Sequence, residues 1–254
     1  MARAQIDVRR RLRRERTVRA VLGAKVTSSQ GGWGVANERP TPRENSQAGA
    51  ESWPLSLDYH RRMSKMQSSM VELGTVAPPF ELADVVTGRA VGRDDVAASA
   101  GGAGLLVMFI CVHCPYVKHV EQELARIGAD YAGKIAMVAI SANDVAAYPE
   151  DSPTEMKKQA ERLGFKFPYL YDETQEVARA YDAACTPDFF LFDRELKLAY
   201  RGQLDDSRPR RGDFGNDIPV TGKDLRAAMD AVLAGKRPDT NQRTSIGCGI
   251  KWGE

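Results

Sequence analysis

The sequence predicts an α/β fold, a central mixed sheet flanked by helices with a short β extension ahead of it. Three observations carry this. LLVMFI (Leu105–Ile110) and KIAMVAIS (Lys134–Ser141) are continuous apolar runs of strand length, as strands buried on both faces require. Between them Val117, Val120, Leu124, Ile127 and Tyr131 recur at spacings of three and four, the stripe of one buried helix face. Downstream, PDFFLFD (Pro187–Asp193) and LKLAYRG (Leu196–Gly202) read as an antiparallel hairpin followed by an amphipathic helix.

The remaining elements follow in order. GTVAPPFELADVVTGRAV (Gly74–Val91) reads as two short strands turning at Thr87-Gly88. Gly101–Gly104 is a loop before the first apolar run. Pro115 opens the striped helix, because its missing N–H costs nothing in a first turn, and Gly133 marks its C-terminal end. Ser152–Gly164 has a Ser/Thr start and a Gly stop, and Glu173–Ala183 is a further helix. Thr221–Gly235 is the last helix.

Composition bounds the function classes. The chain has 254 residues, is 43% hydrophobic and 28% charged, and carries a net charge of +2. These are values for a globular chain with a sizeable core. No apolar run approaches the length that crosses a bilayer, so no membrane partner is expected. The charge is uneven: residues 1–62 hold 13 Lys and Arg against six Asp and Glu. This stretch opens with an arginine run and continues rich in Gly, Pro, Ser and Asn without periodicity, a composition that cannot offset its chain entropy. We therefore expect residues 1–69 to form a disordered basic arm and residues 70–254 the folded domain. The arm has three readings: a nucleic-acid or acidic-lipid tether, an organelle presequence, or a start site set upstream of Met63, Met66 or Met70. A cytoplasmic protein is the expectation, with the presequence its competitor, and nucleic acid is not an expected partner.

The chemistry concentrates in FICVHCPYVKHV (Phe109–Val120), which holds two of the four cysteines and two of the three histidines. A strand running into Cys-x-x-Cys and then a helix places Cys114 at a helix N-terminus. Unsatisfied amides and the helix dipole there favour an anion, so Cys114 should carry a lowered pKa and raised reactivity. Cys111 lies close enough upstream to attack a sulfur adduct on Cys114. His113, beside Cys114, either tunes its pKa or is a solvated strand-end residue, and His119 is expected on the helix surface. Two other readings stand beside redox chemistry. The cysteines are small apolar residues at a strand end, or Cys111, His113 and Cys114 join Cys185 or Cys248 around a metal, although no second compact ligand pair exists. No metal and no organic cofactor are expected.

AACTPDFFLFD (Ala183–Asp193) supplies a Thr-Pro at a strand entry, well downstream of the strand–Cys–helix unit. In that order the sequence resembles the thioredoxin superfamily. The resemblance implies a thioredoxin-like fold in which Pro187 is cis and Thr186 and Pro187 face Cys114. GTVAPPFELAD, ISANDVAAYPEDSP (Ile140–Pro153), RGQLDDSRP (Arg201–Pro209) and SIGCGIKW (Ser245–Trp252) resemble the alkyl hydroperoxide reductase/thiol-specific antioxidant branch, a peroxiredoxin-like subgroup, from Gly74 to Trp252. The pattern departs at the site. Counting from Phe109, Cys114 takes the nucleophile position of thioredoxins, while Val117 stands where their second cysteine would be. In the peroxiredoxin frame, Cys111 stands where a threonine is expected.

The resemblance implies a thiol oxidoreductase that reduces peroxides or protein disulfides through Cys114, with a thioredoxin- or glutathione-type reductant. Cys111 would resolve the intermediate, with Cys185 and Cys248 as alternative resolving thiols. Asn143, Asp144, Tyr148 and Glu150 border the site or are solvated, and Arg201, Asp205, Asp206 and Arg208 form either an ion-pair network or a polar wall. The competing class is a thioredoxin-fold binding or chaperone module whose cysteines are structural or metal-holding.

Overall fold

The computed structural model describes residues 65–210 and 215–253. The basic arm lies outside the described residues as far as residue 64. Its expected boundary at residue 69 is corrected, because Lys65–Gln67 is a strand, β1.

The main sheet runs β3-β2-β6-β5-β4-β8-β9. Its centre is β4 (Leu105–Phe109), parallel to β5 (Ala136–Ser141) and antiparallel to β8 (Asp188–Phe192). β6 (Tyr169–Tyr171) continues the parallel half, and β9 (Leu198–Gly202) pairs with β8 as the expected hairpin. β2 (Glu81–Asp84) and β3 (Ala90–Gly92) form the N-terminal β extension at the opposite edge. The sheet is mixed, and the arrangement is thioredoxin-like, as expected.

The apolar run of β4 is buried at every position because helices cover both faces. Side chains alternate across a strand. Leu106 and Met108 face α2 (Pro115–Asp130), α3 (Pro153–Leu163) and α5 (Lys223–Leu233), meeting Leu124, Ile127, Met156 and Met229. Leu105, Val107 and Phe109 face the other way, toward α1 (Arg93–Ala98) and α4 (Glu176–Ala180), meeting Val96, Tyr181 and Phe190. The tilted and edge-on rings of Phe109, Tyr181, Phe190 and Phe192 fill that second layer.

Some boundaries differ from the sequence reading. The helix expected over Glu173–Ala183 shrinks to α4 because Gln175 adopts a left-handed conformation at its start. α3 ends as expected, with Gly164 left-handed at φ 65°. A second sheet was not expected. β1 and β7 (Cys185–Thr186) flank β10 (Ile246–Gly249) in the order β1-β10-β7, antiparallel throughout. It carries Cys248 of the C-terminal segment to the N-terminus of α2.

Candidate active site

Cys114 is the N-cap of α2, with Pro115 in the first turn. Its backbone is extended (φ −63°, ψ 124°), as an N-cap residue requires. The side chain is fully buried. Cys111 lies in the loop just after β4, also buried, and its thiol hydrogen-bonds Cys114. From the other side comes Cys248. β10 pairs Cys248 directly opposite Thr186, and its thiol also hydrogen-bonds Cys114. The Thr186–Pro187 peptide is cis, as the resemblance implied. Thr186 spans both cysteines of the motif: its hydroxyl lies 3.3 Å from Cys111 Sγ, and its carbonyl accepts from Cys114 Sγ at 3.2 Å.

Electrostatics separate the two cysteines of the motif. Burial works against an ionised Cys114, yet hydrogen bonds from the Cys111 and Cys248 thiols, Thr186 and the Val117 amide more than offset it. The Cys114 pKa is held well below the ordinary thiol value. Burial pushes Cys111 the other way, helped by its role as donor to Cys114 and by the charge of Asp151. The two thiols are thus pushed in opposite directions, Cys114 down and Cys111 up.

His113 does not act on Cys114 as expected. It is buried, not solvated, and turns toward Asp151, with Nδ1 2.5 Å from Oδ2. Its ring stacks on Tyr148, centroids 5.2 Å apart. Asp151 is the residue that sequence reasoning missed. Its Oδ1 accepts from the amides of Val112 and His113 (2.8 and 2.9 Å), and Oδ2 accepts from the Asn143 side chain at 2.7 Å. Burial opposes this charge, but the His113 ring, Asn143 and the His113 amide outweigh it and hold the carboxyl below its usual range. The signal was present in YPEDS: an aspartate just ahead of a helix start, in the loop after the second apolar strand. Loop carboxylates are usually solvated, and nothing local distinguishes this one.

Cys111 Sγ, a His113 ring nitrogen and an Asp151 oxygen lie within 4.8 Å of one another, a possible ligand spacing. Both Asp151 oxygens are, however, already committed to the loop, and Cys114 is not one of the three. Cys185 is buried with its thiol toward the Pro187 carbonyl at 3.7 Å, and burial, then Asp188, pushes its pKa far up. No hydrogen bond joins it to Cys114 among the described contacts of either residue.

Tyr148 is half-buried and Glu150 exposed, while Asn143 is buried and Asp144 binds the tail through its amide to the Lys251 carbonyl (2.9 Å). His119, expected on the surface, is half-buried and bonded to Ser207 Oγ at 2.7 Å. Asp206 gathers Lys223 and Arg243, a true ion-pair cluster. Asp205 instead caps the Thr221 and Gly222 amides, and Arg201 and Arg208 grip backbone carbonyls. Asp205 and Arg208 also wall a small polar depression beside Pro187, with Tyr116, His119, Gln203 and Ser245.

The sequence pattern of the AhpC/TSA family matches residues 73–201. Among curated proteins no match is found. Among solved structures the chain is similar to an uncharacterized conserved protein from Geobacillus kaustophilus. They are 57% identical with a TM-score of 0.70, covering 75% of this chain and 97% of that one. It is also similar to a hypothetical protein from Sinorhizobium meliloti 1021, 48% identical with a TM-score of 0.69, covering 74% of this chain and 98% of that one. The match over residues 73–201, and the thioredoxin-like sheet with its cis-proline facing a helix-capping cysteine, place one conclusion beyond the sequence: the chain belongs to the AhpC/TSA family, a redoxin of the thioredoxin superfamily.

Proposed function

We propose that this redoxin is a thiol oxidoreductase in which the Cys114 thiolate attacks the oxygen of a hydroperoxide or the sulfur of a disulfide. The observation that carries the reading is the donor set around Cys114, two thiols, a hydroxyl and an amide converging on one helix-capping sulfur. A merely structural buried cysteine has no need of four donors, because burial alone keeps a thiol protonated. Attack leaves a sulfenic acid or a mixed disulfide on Cys114. Cys111, in contact, resolves it, expelling water or the outgoing thiol and leaving a Cys111–Cys114 disulfide for an external thiol reductant.

Two features favour a small oxidant. Cys114 is fully buried, and the edge of β7 beside it is already paired with β10. A hydroperoxide or low-molecular-weight disulfide fits such a site better than a folded protein. Peroxidase and insulin-reduction assays run side by side separate these substrates. Cys114→Ser should abolish whichever activity is present. If that variant reacts as fast as the wild type, the nucleophile assignment fails.

A further inference from the structure

The resolving step needs a base. Cys111 is buried, and its thiol must lose a proton before its sulfur can attack Cys114. The polar groups facing it come from four elements and its own loop. The N-cap of α2 offers Cys114, β7 the Thr186 hydroxyl, β6 Tyr169, the turn before α3 Asp151, and the loop His113. Cys114 is blocked once it carries the adduct. Thr186 and Tyr169 are hydroxyls, and burial pushes Tyr169 further up. A cation, Lys251, lies over Tyr148 with Nζ 5.4 Å from the ring centroid, on the ring that stacks against His113. Of these groups the His113–Asp151 pair remains, with a His113 ring nitrogen and an Asp151 oxygen within 4.8 Å of Cys111 Sγ.

The pair is also set for the task. Asp151 sits 2.5 Å from His113 Nδ1, so in the neutral ring Nδ1 carries the bridging hydrogen and Nε2 the lone pair. Nε2 is buried and has no hydrogen-bond partner among the described residues. An unpaired buried ring nitrogen costs stability, and a proton-accepting role accounts for its retention.

We propose that His113 is the proton acceptor for Cys111 in the resolving step and that Asp151 is the positioning residue that fixes its tautomer. The proposal rests on the reading of Cys114 as nucleophile. The Cys111 S–H passes its proton to the imidazole, directly or across one water. The resulting thiolate attacks Cys114, the Cys111–Cys114 S–S bond forms, and the bond from Cys114 to the outgoing sulfur breaks. The outgoing sulfur leaves with the electron pair and takes the proton from the imidazolium. The external sulfur is reduced to a thiol while the two cysteines are oxidised to a disulfide.

The test uses the reduced full chain and one equivalent of 5,5′-dithiobis(2-nitrobenzoate), followed by thionitrobenzoate absorbance. Attack by Cys114 releases one chromophore, and resolution by Cys111 releases the second. In Asp151→Asn an amide facing Nδ1 forces the opposite tautomer. Its second phase should slow about 100-fold at pH 7, the usual scale of general-base catalysis. Its first phase should stay within about threefold, and the two proteins should converge as the pH rises and solvent base takes over. His113→Gln should behave alike with Asp151 intact, and Cys111→Ser should lose the second phase. The proposal is overturned if Asp151→Asn slows both phases equally, if the second phase is untouched, or if it survives in Cys111→Ser. Absence of the first phase in wild type and its persistence in Cys114→Ser are the separate failures that sink the nucleophile reading itself.

Discussion

Gly247 and Thr186 meet so closely that a Cβ built on the glycine lies 2.0 Å from the threonine carbonyl oxygen. No side chain fits there. The contact seats β10 against the strand that leads into Pro187, and with it Cys248 against Cys114. Gly247→Ala should therefore displace β10, since backbone cannot swing aside as a flexible side chain does. We expect a stability loss of about 1–3 kcal/mol, as for other overpacking, together with slower alkylation of Cys114. Denaturant unfolding and iodoacetamide kinetics measure the two effects.

Cys248 donates to the Cys114 sulfur. Replacing it by alanine removes one of the bonds that favour the thiolate. A hydrogen bond to a charged group contributes about 1.5–3 kcal/mol. On the acid limb of its pH–rate profile alkylation of Cys114 should fall about tenfold, equivalent to about 1.4 kcal/mol, and recover above the ordinary thiol range. An unchanged pH–rate profile would mean that the contact has no bearing on the charge.

Thr186→Val keeps the branched shape and deletes the hydroxyl that both cysteines use. Its loss should raise the pKa of both thiols. The thiolate absorbance at 240 nm should therefore titrate at higher pH than in the wild type, with the fold intact by circular dichroism.

Asp188 is fully buried, and burial pushes its pKa to about 8. The sign follows from the direction. The unfolded chain releases this proton near pH 4, whereas the folded chain keeps it to about pH 8, so stability falls as the pH climbs through that window. Asp188→Asn imitates the protonated form. Its stability relative to wild type should rise by several kcal/mol between pH 4 and pH 8 and level off above that. A difference that does not change with pH would contradict the assignment. Asp151 runs the opposite way: its lowered pKa supports stability above about pH 4, and that support is lost on further acidification.

The core elements were legible because their patterns are local. Leu105–Ile110 is apolar at every position, and the stripe from Val117 to Ile127 has one helical period, so both could be read without knowing what covers them. Cys114 was legible for the same reason, since a strand, a Cys-x-x-Cys and a Pro-opened helix fix its place in a few residues. Asp151 and β10 were not. The hydrogen bonds of Asp151 to the Val112 and His113 amides join segments far apart in sequence. Ser245–Gly249 has too much glycine to read as a strand, and only its pairing with β1 and β7 makes it one. His113 was misplaced because adjacency to Cys114 suggested contact, whereas its ring turns to Asp151, 38 residues away in sequence.

The seating of β10 also bears on when the protein becomes reactive. The donors that favour the Cys114 thiolate come from the loop after β4, from β7, α2 and β10, and the last depends on the pairing of the small sheet. Without it the sulfur lacks part of its set and behaves as a more ordinary thiol. On the proposed reading, the reactivity of Cys114 depends on β10 being paired, and the rate at which Cys114 takes up a thiol reagent reports whether the small sheet is closed.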